Sequence, residues 1–115
     1  MNFFEQEDCL KDKNLFLEEL FTACERDGLY LLEFHKVPHV PKTYLQLIEK
    51  KSVFFIYTDY DKAKKYVDDE LKGLNIMIRK ITENDLISLL TDIVKVGGDG
   101  FIVNYPYNWG IFQMK

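Results

Sequence analysis

The sequence predicts an α+β fold: one domain over residues 1–115, with a mixed sheet of about five to six strands, helices packed on it and a C-terminal β-hairpin. Three observations lead there. Apolar residues recur at helical spacing in three stretches, short runs of branched and aromatic residues separate those stretches, and neither an internal repeat nor a Gly/Ser- or Pro-rich linker divides the 115 residues. Hydrophobic residues make up 47% and charged residues 30%, a globular balance at a length that buries roughly 60–70% of the unfolded surface without staples.

From Asn14 to Asp27, Leu15, Phe16, Leu17, Leu20, Phe21, Ala23 and Cys24 recur at spacings of three and four, with Glu18, Glu19, Glu25 and Arg26 opposite. This predicts an amphipathic helix with Asn14 as N-cap and Gly28 as its stop. Leu29 to Lys36 reads as a strand, closed by the loop Val37–Pro41, whose two prolines forbid a continuing ladder. Tyr44 to Glu49 alternates loosely, and its place before another strand favours a short strand over a helix. Val53 to Tyr57 is a continuous run of β-formers and predicts a central strand buried on both faces. Thr58 or Asp59 then caps a helix with a buried stripe of Tyr60, Ala63, Val67 and Leu71, ended by Lys72-Gly73. Leu74 to Ile81 alternates as a half-buried strand, and Thr82 to Asp85 resembles a capping box. The helix that follows, from Asp85 to Val96, carries Leu86, Ile87, Leu89, Leu90, Ile93 and Val94 and reads as a core element, terminated at Gly97-Gly98. Phe101–Tyr105 and Ile111–Met114 flank the terminal hairpin loop. Helices are expected on one face of the sheet, with the strands they separate running parallel.

Several function classes are excluded by composition. The longest apolar run has only five residues, Val53 to Tyr57, far below the roughly 20 needed to cross a bilayer, so no membrane association is expected. The first residues lack the basic and apolar regions of a signal peptide, which predicts a cytoplasmic protein with Cys9 and Cys24 reduced, Cys24 buried on a helix and Cys9 peripheral. A net charge of −4 argues against nucleic acid as a partner. That charge is uneven: residues 1–33 carry nine acids and three bases, residues 34–82 ten bases and six acids, and residues 83–115 four acids and two bases. The acidic first helix, through Glu18, Glu19 and Glu25, is therefore the expected handle for a basic protein partner.

No catalytic, cofactor or metal site is expected. His35 and His39 are four apart, but Pro38 between them breaks the helix that would bring both to one ion. Ser52 and Ser88 lie outside any nucleophile turn, and neither cysteine has a histidine nearby in sequence. Asp68-Asp69-Glu70 point in different directions on a helix, and Lys62, Lys64, Lys65 and Lys72 are balanced by Asp61, Asp68 and Asp69. Gly97-Gly98-Asp99-Gly100 precedes a strand, the reverse of a phosphate loop. The hairpin loop is more informative, because Tyr105, Tyr107 and Trp109 are too apolar for a bare tip. They predict packing on the domain itself or a contact with a partner or second copy.

From Val53 onward, about half of the chain, the sequence resembles the N-terminal domain of the SseB family, named for enhanced serine sensitivity in bacteria. The matching residues are the strand into Tyr57-Thr58-Asp59, Ala63 in the next helix, a strand, an apolar helix, and Gly97-Gly98-Asp99-Gly100-Phe101-Ile102-Val103-Asn104. Tyr105 departs from the pattern, since the family places proline directly after the asparagine. The resemblance implies a small bacterial α+β domain of unassigned biochemistry, with no catalytic residues to carry over. Contact with another protein is the first functional expectation. A toxin-immunity protein binding a basic effector, and a small hydrolase or transferase with dispersed residues, are the alternatives.

Overall fold

The computed structural model describes residues 2–34 and 43–114. A 3₁₀ turn (Phe3–Glu5) is followed by α1 (Lys13–Arg26), β1 (Leu29–Phe34), β2 (Leu45–Ile48), β3 (Lys51–Tyr57), α2 (Tyr60–Glu70), β4 (Ile76–Ile81), α3 (Glu83–Asp92), β5 (Gly100–Val103) and β6 (Phe112–Gln113). His35, His39 and the proline loop lie outside the described residues.

β3 is the centre of the sheet, and Val53 to Tyr57 are all buried, as a strand covered on both faces requires. β5 runs parallel to it, from Val53↔Gly100 to Ile56↔Val103. Gly100 is required there: a Cβ at this position would collide with the Phe112 carbonyl oxygen of β6. β1 pairs antiparallel with β3 only at Tyr30↔Tyr57 and Leu31↔Ile56 and pairs along its whole length with β4. Where β1 leaves β3, the chain from Thr43 to Ile48 fills the gap. The Tyr44 N–H donates to the Leu32 carbonyl at 2.9 Å, and β2 pairs with β3 from Leu45↔Phe54 to Ile48↔Lys51. The sheet order is β4-β1-β3-β5-β6, with β2 beside the first half of β3. The C-terminal hairpin is the antiparallel pair β5–β6.

The helices cover both faces, which corrects the expectation of one. The crossover from β3 through α2 travels outward to β4, and the crossover through α3 travels back past β1 and β3 to β5. Two connections of the same hand running in opposite directions must lie on opposite faces. Accordingly, α1 and α3 pack with Leu29, Leu31, Phe54, Ile56, Phe101 and Val103. α2 packs with Leu32, Val53, Phe55, Tyr57 and Ile102.

Local chemistry sets the helix ends. Asp12, not Asn14, caps α1, its carboxylate accepting from the Leu15 N–H at 3.1 Å. Gly28 stops the helix at φ +83°, with its N–H shared between the Ala23 and Cys24 carbonyls. Asp59 caps α2, whose buried contacts come from Ala63 and Tyr66, with Leu71 at its end; Tyr60 is exposed and meets Tyr30 edge-on at 5.7 Å. Thr82 and Asp85 form the expected capping box. Asp85 also holds Arg79 at 3.2 Å, and Arg79 grips the buried Glu33 at 2.7 and 3.1 Å, so this buried carboxylate is paired.

Two further expectations are corrected. Cys9 is buried in the cluster with Phe4 and Phe16 rather than peripheral, and burial pushes both its thiol and that of Cys24 above the ordinary range. Both cysteines are free. α3 belongs to an outer layer: Leu86 and, beyond the helix, Ile93 are fully buried, whereas Ile87 is 48% and Val94 43% exposed. Leu86→Ala should therefore cost about 2–5 kcal/mol and the half-buried Leu90→Ala under about 2 kcal/mol. Urea melts of the two variants check this, and equal losses would place Leu90 deeper than it lies.

The Asp85 carboxyl is held below its usual range, first by the Thr82 backbone N–H and then by the Thr82 hydroxyl. A depressed carboxyl stabilises the fold above its unfolded pKa, and this contribution disappears as the pH falls through the folded value. Asp85→Asn should flatten the acid side of the stability curve, measured by urea midpoints between about pH 6 and pH 2.

Candidate functional site

At the carboxyl ends of the parallel neighbours β3 and β5 the chain departs in two directions, into α2 from one and toward β6 from the other. In open α/β sheets this divergence creates a crevice suited to ligands or partners. Here it is closed by a side-chain clasp. Asn104, at φ +61°, donates its backbone N–H to the Ile56 carbonyl at 2.8 Å, continuing the ladder by one residue. Its side-chain oxygen accepts from the Thr58 N–H at 2.9 Å, and its Nδ2 donates to Thr58 Oγ1 at 3.0 Å. An asparagine tolerates the left-handed backbone and supplies both a donor and an acceptor, which explains the residue type.

The aromatic loop continues from the clasp and divides its three rings. Tyr105 turns inward, stacked on Phe55 at 4.8 Å and edge-on to Tyr66 at 5.4 Å, and its carbonyl accepts from the Tyr57 hydroxyl at 2.7 Å. Burial pushes that hydroxyl far above the ordinary tyrosine value, so it is a neutral donor. Tyr107 and Trp109 stay outside, 56% and 53% exposed. The indole N–H donates to the Glu5 carbonyl at 2.9 Å, and the Glu5 carboxylate lies 3.7 Å from Lys62 of α2. The first residues are thus pinned across the domain to the hairpin loop and to α2.

Beside this seam a polar groove of about 420 Å³ runs between the 3₁₀ turn and the second half of α1. Phe3, Gln6, Glu19, Arg26, Asp27 and Thr58 are among its lining residues. Arg26 is bound to Asp27 at 2.7 Å, and Thr58 is engaged by Asn104. Among the described residues, Glu18, Glu19 and Glu25 have no cation within 4 Å. On α2, by contrast, Lys64–Asp68 at 2.9 Å and Lys65–Asp69 at 3.1 Å neutralise each other.

The six residues singled out from the sequence therefore do not form one patch. Glu18 and Glu25, seven apart, share the outer side of α1, Glu19 lines the groove, Tyr105 packs against the interior, Tyr107 is exposed, and Trp109 marks the seam. Sequence reasoning missed the Thr58–Asn104 clasp and the groove. The signal for the clasp was a hydrogen-bonding residue directly after each of two apolar strands, but nothing in the sequence said that those strands are neighbours. Among the described residues no group of three or more His, Cys, Asp or Glu is placed to hold a metal, and no helix is long and apolar enough to cross a membrane. No family model, curated protein or solved structure matches this chain.

Thr58→Val keeps the shape of the clasp and leaves Asn104 Nδ2 without its acceptor, so it should lower stability by about 1–3 kcal/mol, while Thr58→Ser should retain most of it. Thermal melts of both variants decide, and a wild-type melt for the valine variant would show that the clasp contributes nothing.

Proposed function

We propose that the protein works by contact with another protein, offering the acidic outer side of α1 to a basic surface. One observation carries this reading: Glu18, Glu19 and Glu25 of α1 enter no salt bridge among the described residues, whereas on α2 Lys64 and Lys65 each hold an acid one turn on, Asp68 and Asp69. Unmatched charge at a surface costs little in water and speeds encounter with an opposite charge. The groove supports contact over a hydrolase or transferase, because its hydroxyl and its guanidinium are both already engaged by neighbours. The SseB-like reading agrees, since Thr58, Gly100 and Asn104, which carry the resemblance, all have structural tasks in this chain. A basic effector, as for an immunity protein, is a partner of the same chemistry.

The test uses a twenty-residue peptide alternating arginine or lysine with glycine and serine, followed by fluorescence anisotropy. Affinity should fall about tenfold or more between low and several hundred millimolar salt. The triple variant Glu18→Gln, Glu19→Gln, Glu25→Gln should lose binding, and Asp61→Asn, Asp68→Asn, Asp69→Asn, which removes the same charge from α2, should not. Equal losses in the two triples would overturn the assignment to α1.

A further inference from the structure

We infer that the open edge of β4 is a pairing site for a second copy of this chain, the two β4 strands joining antiparallel about Ile78. This surface is separate from the acidic side of α1, and the inference does not rest on the contact reading above. β4 ends the sheet: all of its residues from Ile76 to Ile81 pair with β1, and no other described strand lies beside it. One bond made by β1 fixes which backbone groups face that edge. The Leu32 carbonyl accepts from the Tyr44 N–H at 2.9 Å, so the backbone groups of Leu32 face away from β4. Ile78 stands opposite Leu32, which makes theirs a pair without mutual hydrogen bonds and turns the Ile78 N–H and C=O to the open edge. Alternation turns the N–H and C=O of Lys80 outward as well, together with the Ile76 carbonyl, while the Ile76 N–H is held by the Leu74 carbonyl at 3.0 Å.

Edge strands are commonly guarded by proline, a bulge or a charged side chain held over the rim. β4 contains no proline, and its register with β1 runs without a break. Its two charged side chains are drawn back over the sheet. Arg79 reaches Glu33 of β1 and Asp85 of α3, and the aliphatic end of Lys80 lies against Gly28, where a Cβ would collide with it. The edge is also complementary to itself. Antiparallel strands related by a two-fold axis must be centred on a residue, and about Ile78 the pairs are Ile78 with Ile78, Ile76 with Lys80 and Met77 with Arg79. Outward groups then meet outward groups, and no like charges stand opposite each other. Centred one residue later, the ladder opposes two copies of Arg79; centred one earlier, it leaves Lys80 with no strand residue opposite. Beyond the strands, the register about Ile78 brings Lys72 of one copy and Glu83 of the other, opposite in charge, to the same end of the ladder.

Sedimentation equilibrium of the whole chain should show the mass rising from that of one chain toward two between about 10 µM and about 1 mM. Amide hydrogen exchange reads the edge itself, and the Ile78 and Lys80 N–H groups should slow about tenfold over the same range. Ile78→Pro removes an N–H that takes no part in the β1 ladder, so its spectrum should stay dispersed while its mass stays that of one chain. Ile78→Lys, which opposes two ammonium groups on the axis, should have the same effect. If the proline variant fails to fold, exchange in the unaltered protein decides by itself. A mass of one chain at every concentration would overturn the inference. So would a doubled mass with the Ile78 and Lys80 amides still exchanging fast, because the contact would then lie on another surface.

Discussion

The burial of β3 on both faces is the constraint on which the rest of the structure depends. Five consecutive apolar side chains cannot be covered by one layer, so helices are needed above and below. The two crossovers deliver them because they travel in opposite directions with the same hand. The strand also receives three neighbours. β5 takes one edge, while β1 and β2 share the other, one beside each half, which explains how a seven-residue strand organises a six-stranded sheet.

The margins of that arrangement hold its polar side-chain contacts. The carboxyl ends of β3 and β5 diverge, and Thr58 with Asn104 closes the divergence instead of leaving polar groups free for chemistry. On α2, Lys64 pairs with Asp68 and Lys65 with Asp69, and the buried Glu33 pairs with Arg79. Glu18, Glu19 and Glu25 of α1 enter no salt bridge among the described residues.

Much of the fold was legible in the residues. The run Val53 to Tyr57 announced a doubly buried strand because both of its faces are apolar, and Thr82 to Asp85 announced a helix start because the cap is local chemistry. What could not be read was what depends on partners distant in sequence. Cys9 looked peripheral because its shelter comes from Phe4 and Phe16 through the turn of the first residues. α3 looked central because apolar content says nothing of which layer a helix joins; Ile87 lies on its open side, and Val94, just beyond its end, is exposed as well. Asn14 lost the cap to Asp12, two positions earlier, where the chain is extended and its carboxylate can reach the Leu15 N–H. In the site, the acidity of Glu18, Glu19 and Glu25 was visible, whereas the separation of Glu19 from the other two depends on the groove and was not.

The bond from the Trp109 indole to the Glu5 carbonyl joins positions 104 residues apart. It ties the opening turn, which also carries the buried Phe4, to the hairpin loop through a solvent-exposed bond. Water can take the place of either partner, so the seam holds the two segments together weakly and lets them part without unfolding the sheet.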